Sequence, residues 1–176
     1  MANNGNPLRD AVEALIKGWG AGLEVLHEVN VGYRFINTPR RMDLVIRNPQ
    51  NNRTMAIECK CQTSGGTADE KLIYALEDCK SCPIPTIIVF AGDAFKPDLK
   101  ARLVLSGLGI EVKGNFQKRT KSNGKQEKVL ISITDEQKLL QQRCYIELGL
   151  DWFPIATGQE VSDQLAKLRS STSSTP

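Results

Sequence analysis

Two short segments that alternate cleanly between apolar and polar residues do most to limit what this chain can fold into. In Arg41–Arg47, Met42, Leu44 and Ile46 fall on one side and Asp43, Val45 and Arg47 on the other. In Thr54–Gln62, Met55, Ile57, Cys59 and Cys61 alternate with Thr54, Ala56, Glu58, Lys60 and Gln62. A period of two is the signature of a strand, and the turn residues Asn48, Pro49, Asn51 and Asn52 between the segments make them a hairpin. Pairing residues whose numbers sum to about 101 sets Arg47 opposite Thr54 and Asp43 opposite Glu58. One face of the hairpin then belongs to a core, and the other carries two acids and a lysine.

The surrounding segments say what encloses the hairpin. Asn6 caps a helix that starts at Pro7, where the missing N–H costs nothing, and Leu8, Val12, Leu15 and Ile16 form its apolar stripe to near Gly18. Leu23–Val31 reads as a strand. After Gly65 and Gly66, Thr67 and Glu70 form a capping box for a second helix with the stripe Leu72, Ala75, Leu76 and Cys79. The β-branched run Thr86–Phe90 suits a strand buried on both faces and parallel to the one before the helix. Lys96–Leu105 reads as a helix and Gly109–Lys113 as a short strand. Asn115–Lys128 has no apolar period and contains Asn123-Gly124, so it is a basic loop or an exposed hairpin with Val129–Ile133 as return strand. A short helix from Asp135, another carrying Val161, Leu165 and Leu168, and a disordered tail over 170–176 complete the chain. The expectation is one domain over 1–169, with its core at 6–112, the basic segment at 113–133 and a helical extension at 134–169.

Charge and cysteine usage narrow the function. The net charge is only +3, but Gly32–Arg53 holds five arginines against one acid and 113–128 holds six bases against one acid, so the remainder is acidic. Clustered bases suit a phosphate-binding surface. No apolar run approaches a membrane span, and the N-terminus has no secretory pattern, which implies a cytoplasmic protein. Five cysteines cannot all pair. Cys59-x-Cys61 and Cys79-x-x-Cys82 have the form of a zinc site, but their apolar faces make them core residues, and His27, the single histidine, reads as structural. There is no Gly-rich phosphate loop, hence no nucleotide cofactor.

Two carboxylates about 5 Å apart on neighbouring strands repel unless a cation lies between them. Mg²⁺ fits that need, because it prefers hard oxygen ligands and keeps several waters; the Cys59 carbonyl can complete the set. Lys60, two residues beyond Glu58, points to the same face.

Asp43, followed after fourteen residues by Glu58-Cys59-Lys60 with Gln62 beyond, resembles the PD-(D/E)xK nuclease superfamily, and the resemblance runs to about residue 112. Met42 stands where the motif's proline would be. The resemblance implies an α/β fold with a restriction endonuclease-like αβββαβ core, a mixed central sheet flanked by helices. It also implies that Asp43 and Glu58 hold Mg²⁺ (or Mn²⁺), to which the reading above adds the Cys59 carbonyl, that Lys60 orients or activates the attacking water and that the 3′ oxygen leaves. Gln62 would touch phosphate or DNA, and Glu13 is the candidate for an extra acid on the first helix. Arg40, Arg41, Lys71, Lys118, Arg119, Lys121 and Lys125 are the candidate DNA contacts. The expected function is site-specific double-strand cleavage of restriction or homing type, by a homodimer or larger assembly because two strands need two sites. A Holliday junction resolvase or repair nuclease would share the site. A non-catalytic DNA-binding module on this fold is the alternative from another class.

Overall fold

The computed structural model describes residues 6–34, 37–63, 68–120, 123–134 and 137–151, with the backbone alone at 68–71. Asn6 caps α1 (Pro7–Gly18) by accepting the Arg9 N–H, and Leu8, Val12 and Ile16 are its buried stripe. Then come β1 (Glu24–Tyr33), β2 (Pro39–Arg47), β3 (Thr54–Cys61), α2 (Ala68–Lys80), β4 (Thr86–Ala91), α3 (Pro97–Leu105) and β5 (Gly109–Glu111). A hairpin of β6 (Gly114–Thr120) and β7 (Gln126–Ile133) and the helix α4 (Lys138–Leu148) follow. Residues 161–168 and 170–176, read above as helix and tail, lie outside the described residues, as do Thr67 of the capping box and Asp135.

The five-stranded sheet has the order β1-β2-β3-β4-β5. β1–β2 and β2–β3 are antiparallel, β3–β4 and β4–β5 parallel, so β3 is where the sheet changes sense. Leu44 opposite Ile57 and Arg47 opposite Thr54 give the register inferred from the sequence. Both faces are covered. Leu44, Ile46, Met55, Ile57, Cys59, Ile87 and Val89 pack under α1, β7 and α4. Val45, Ala56, Ile88 and Phe90 pack under α2 and α3.

One alternation expected from the sequence fails: Met42 packs with Val45 on the α2 side, not with Leu44 and Ile46. The β2–β3 ladder stops at Leu44–Ile57 while β2 stays paired to β1, and the alternation breaks at Asp43, opposite Glu28 with its φ of 51°. The basic segment is a hairpin with a register shift between Asn115 and Phe116, Lys118 opposite Lys128, and Gly124 at φ 78° near its turn. α4 begins at Lys138, and Asn48 and Asn51 both donate to its last carbonyl, that of Leu148. Among the described residues no helix is long and apolar enough to cross a membrane.

Candidate active site

Where β2 parts from β3, a side chain takes over from the backbone. The Cys59 N–H donates to Asp43 Oδ2 at 2.7 Å. N–H and C=O of one strand residue point to the same side, so the Cys59 carbonyl also faces the Asp43 edge, where the Asn6 Nδ2 reaches it at 3.2 Å. The first turn of α1 is thereby tied to β3 at the same place. Glu58 and Lys60, one position to either side, project toward α2 and form an ion pair. Burial pushes the Glu58 carboxyl above its ordinary value; Lys60 opposes that shift, and Asp43 adds to it. Burial also works against the Lys60 ammonium, but the charge and hydrogen bond of Glu58 outweigh it and hold the amine above its usual range.

Two charged frames flank these residues. On the α1 side, Arg9 bonds to Asp10 Oδ1 and Glu28 Oε1, and Arg41 bonds to both the carboxylate and the carbonyl of Glu28. Glu28 lies across from Asp43, between the pairs His27–Leu44 and Val29–Met42, with φ at 51°. On the α2 side, Asp78 accepts from Arg34 Nε through one oxygen and from Arg40 Nε through the other, both at 2.9 Å, and Arg40 also donates to Ser81 Oγ. Arg34 sits over the Tyr74 ring at 5.7 Å. A cleft of about 420 Å³ lies there, bounded by Arg34, Glu58, Lys60, Tyr74, Asp78 and Cys79.

The structure thus brings Asp43, Glu58, Cys59 and Lys60 together and sorts the other sequence candidates. Glu13, one turn beyond Arg9 on α1, is bonded to His27 and Lys17 rather than to these residues. Gln62 is buried just past β3, with its N–H on the Ala91 carbonyl. Arg40 is 2% exposed and committed to Asp78 and Ser81, which removes it from any DNA-facing surface. Its neighbour Arg41 remains exposed. Lys118 and Lys125 line a second, polar cleft with Thr63, whose hydroxyl donates to the Lys128 carbonyl, so the hairpin leans on the chain three residues beyond Lys60. Arg119 is exposed opposite Glu127. Lys121 and the Lys71 side chain lie outside the described residues.

The donor set suits a hard cation. Asp43, Glu58 and the Cys59 carbonyl supply oxygen only, the preference of Mg²⁺ or Mn²⁺. Among the described residues no group of three or more His, Cys, Asp or Glu side chains could hold a metal ion. Cys59 and Cys79 are buried on opposite faces of the sheet, so they cannot share a thiolate site.

The family model for the PD-(D/E)XK nuclease superfamily domain matches residues 4–139. No curated protein matches the chain. A crystal structure of a protein of unknown function is similar at 16% identity and a TM-score of 0.42, over 60% of this chain; the chain spans 57% of that one.

Proposed function

This chain belongs to the PD-(D/E)XK nuclease superfamily, and from that premise we propose that it is a divalent-metal-dependent endonuclease hydrolysing phosphodiester bonds in DNA. The observation that carries the reading is the meeting of Asp43, Glu58, the Cys59 carbonyl and Lys60 at the splayed end of the β2–β3 ladder.

Each residue then has a task. Asp43 and Glu58, with the Cys59 carbonyl, hold Mg²⁺ or Mn²⁺; when bound, that ion polarises the scissile phosphate and lowers the pKa of a bound water. Burial is the main cause of the raised Glu58 carboxyl and the Asp43 charge adds to it, so a cation beside both carboxylates would favour their charged forms. Lys60 donates one N–H to Glu58 and keeps two for a phosphate oxygen or the attacking water. Arg41 and the hairpin residues Lys118, Arg119 and Lys125 contact backbone phosphates on either side. Cutting both strands at one position calls for two copies of the chain, so a homodimer is the acting form.

Asp43→Asn, Glu58→Gln and Lys60→Met should each reduce Mg²⁺-dependent nicking of plasmid DNA at least a hundredfold with circular dichroism unchanged. Equal cutting by wild type and Glu58→Gln would refute the assignment. Mapping the ends on plasmid and junction DNA separates site-specific cleavage from junction resolution.

A further inference from the structure

The cleft beside Glu58 and Lys60 is larger than a bound cation needs. Its wall is Tyr74, 40% exposed, and its apolar floor includes Ala75 and Cys79. Tyr74 and Asp78 stand one turn apart on α2, so the ring and the carboxylate share a helix face. Asp78 takes Arg34 on one oxygen, and its other oxygen is fixed by Arg40, itself held by Ser81. That chain of bonds sets the Arg34 guanidinium over the Tyr74 ring within cation–π distance. Only Nε of Arg34 is used in the bond to Asp78, which leaves the terminal N–H groups available to an anion.

From this geometry we infer that the cleft seats the unpaired base of the nucleotide next to the scissile phosphate, Tyr74 stacking on it and Arg34 reaching its phosphate. This rests on the nuclease reading and deepens it by naming a substrate class: DNA whose base at the cut is already unpaired or easily extruded. The cleft volume of about 420 Å³ lies in the range of small-molecule sites and exceeds what one phosphate needs. An aromatic face with an arginine beside it is the usual stacking platform for single-stranded nucleic acid, and it accepts any base. A base stacked inside a duplex cannot enter a cleft walled by Glu58 and Lys60, so it must leave the helix first. Strands with a free base at that position avoid that cost and bind more tightly.

The test is binding in EDTA, where no cutting occurs, of a fluorescein-labelled single strand and of its annealed duplex. Tyr74→Ala should weaken the single strand roughly ten- to hundredfold, the loss expected for one base–aromatic stack, and the duplex much less. Tyr74→Phe should bind as wild type. Tyr33→Ala, an exposed tyrosine that does not line the cleft, should do likewise. Arg34→Gln should lower the salt slope by about one. A 2-aminopurine beside the mapped cut should lose fluorescence on the wild type and keep it on Tyr74→Ala. Unchanged single-strand affinity in Tyr74→Ala, equal losses on both substrates, or no 2-aminopurine response would overturn the inference. The nuclease assignment stands or falls separately, on the cleavage assays of Asp43, Glu58 and Lys60.

Discussion

Gly92 offers the sharpest check on how the end of β3 is held. It follows β4 at φ 117°, and a Cβ there would lie 1.9 Å from the Gln62 carbonyl oxygen and 2.7 Å from its carbon. Gln62 is two residues beyond Lys60, so any side chain at 92 must push the chain just past β3. Gly92→Ala carries two costs: about 1–3 kcal/mol for an L-residue in that backbone region, and about 1–3 kcal/mol for overpacking against backbone that cannot rotate away. Together they give roughly 2–6 kcal/mol; with a urea m-value near 2 kcal/mol/M the midpoint should fall by roughly 1–3 M. Gly124→Ala is the control, since its φ of 78° carries strain but nothing lies within 4 Å of the added carbon. It should cost only about 1–2 kcal/mol. Urea melts followed by circular dichroism measure both, and nicking assays on the surviving folded fraction should show reduced activity for Gly92→Ala alone. Equal midpoints for the two variants would refute the close approach of Gly92 to Gln62.

Asp78→Ala should destabilise the domain by about 3–5 kcal/mol, because it strands the buried Arg40 guanidinium, and Arg40→Met with Asp78→Leu should restore most of that loss in the same melts. Glu13 supplies a pH dependence. Burial alone would raise its carboxyl, but Lys17 and His27 outweigh burial and hold it below the ordinary 4.5. A depressed folded value means the stabilisation is present above the unfolded carboxylate range and is lost as pH falls through the folded value. Glu13→Gln should therefore cost about 0.5–1 kcal/mol near neutrality, and the gap to wild type should close in melts taken in acid. If the β6–β7 hairpin meets phosphates, Lys118→Gln with Lys125→Gln should flatten the salt dependence of DNA affinity by one to two units of slope; an unchanged slope would return the hairpin to plain surface.

The sequence carried the central hairpin because burial has period two and Asn48–Arg53 leaves little freedom in the turn, so Asp43 and Glu58 could be placed together before any coordinates. It failed where position along the chain is no guide to neighbours. Arg40 adjoins Arg41 in sequence, yet one is buried and the other exposed, because the partner that draws Arg40 inward is Asp78, 38 residues away. Asp78 itself left a signal: an acid beside Cys79 on the edge of the apolar stripe of α2 needs a cation, and Arg34 and Arg40 were the nearest surplus. Met42 departs from the face that period two predicts because the alternation breaks at Asp43, where β2 has parted from β3, remains paired to β1, and lies opposite Glu28 at φ 51°. The basic hairpin is legible only as loop or strand because most of its side chains face water and an apolar period has nothing to mark.

The bond from the Cys59 amide to Asp43 has a further meaning for how an active molecule is made. The side chain that completes the ladder is also a proposed ligand, so alignment of the two strands and assembly of the site are one event. A molecule whose hairpin has slipped by one residue loses the Asp43–Cys59 bond and the facing carboxylates together. Such a molecule can be compact and helical and still cut nothing. Under the proposed function, specific activity per folded chain reports strand alignment, since incorrectly aligned copies lack the site.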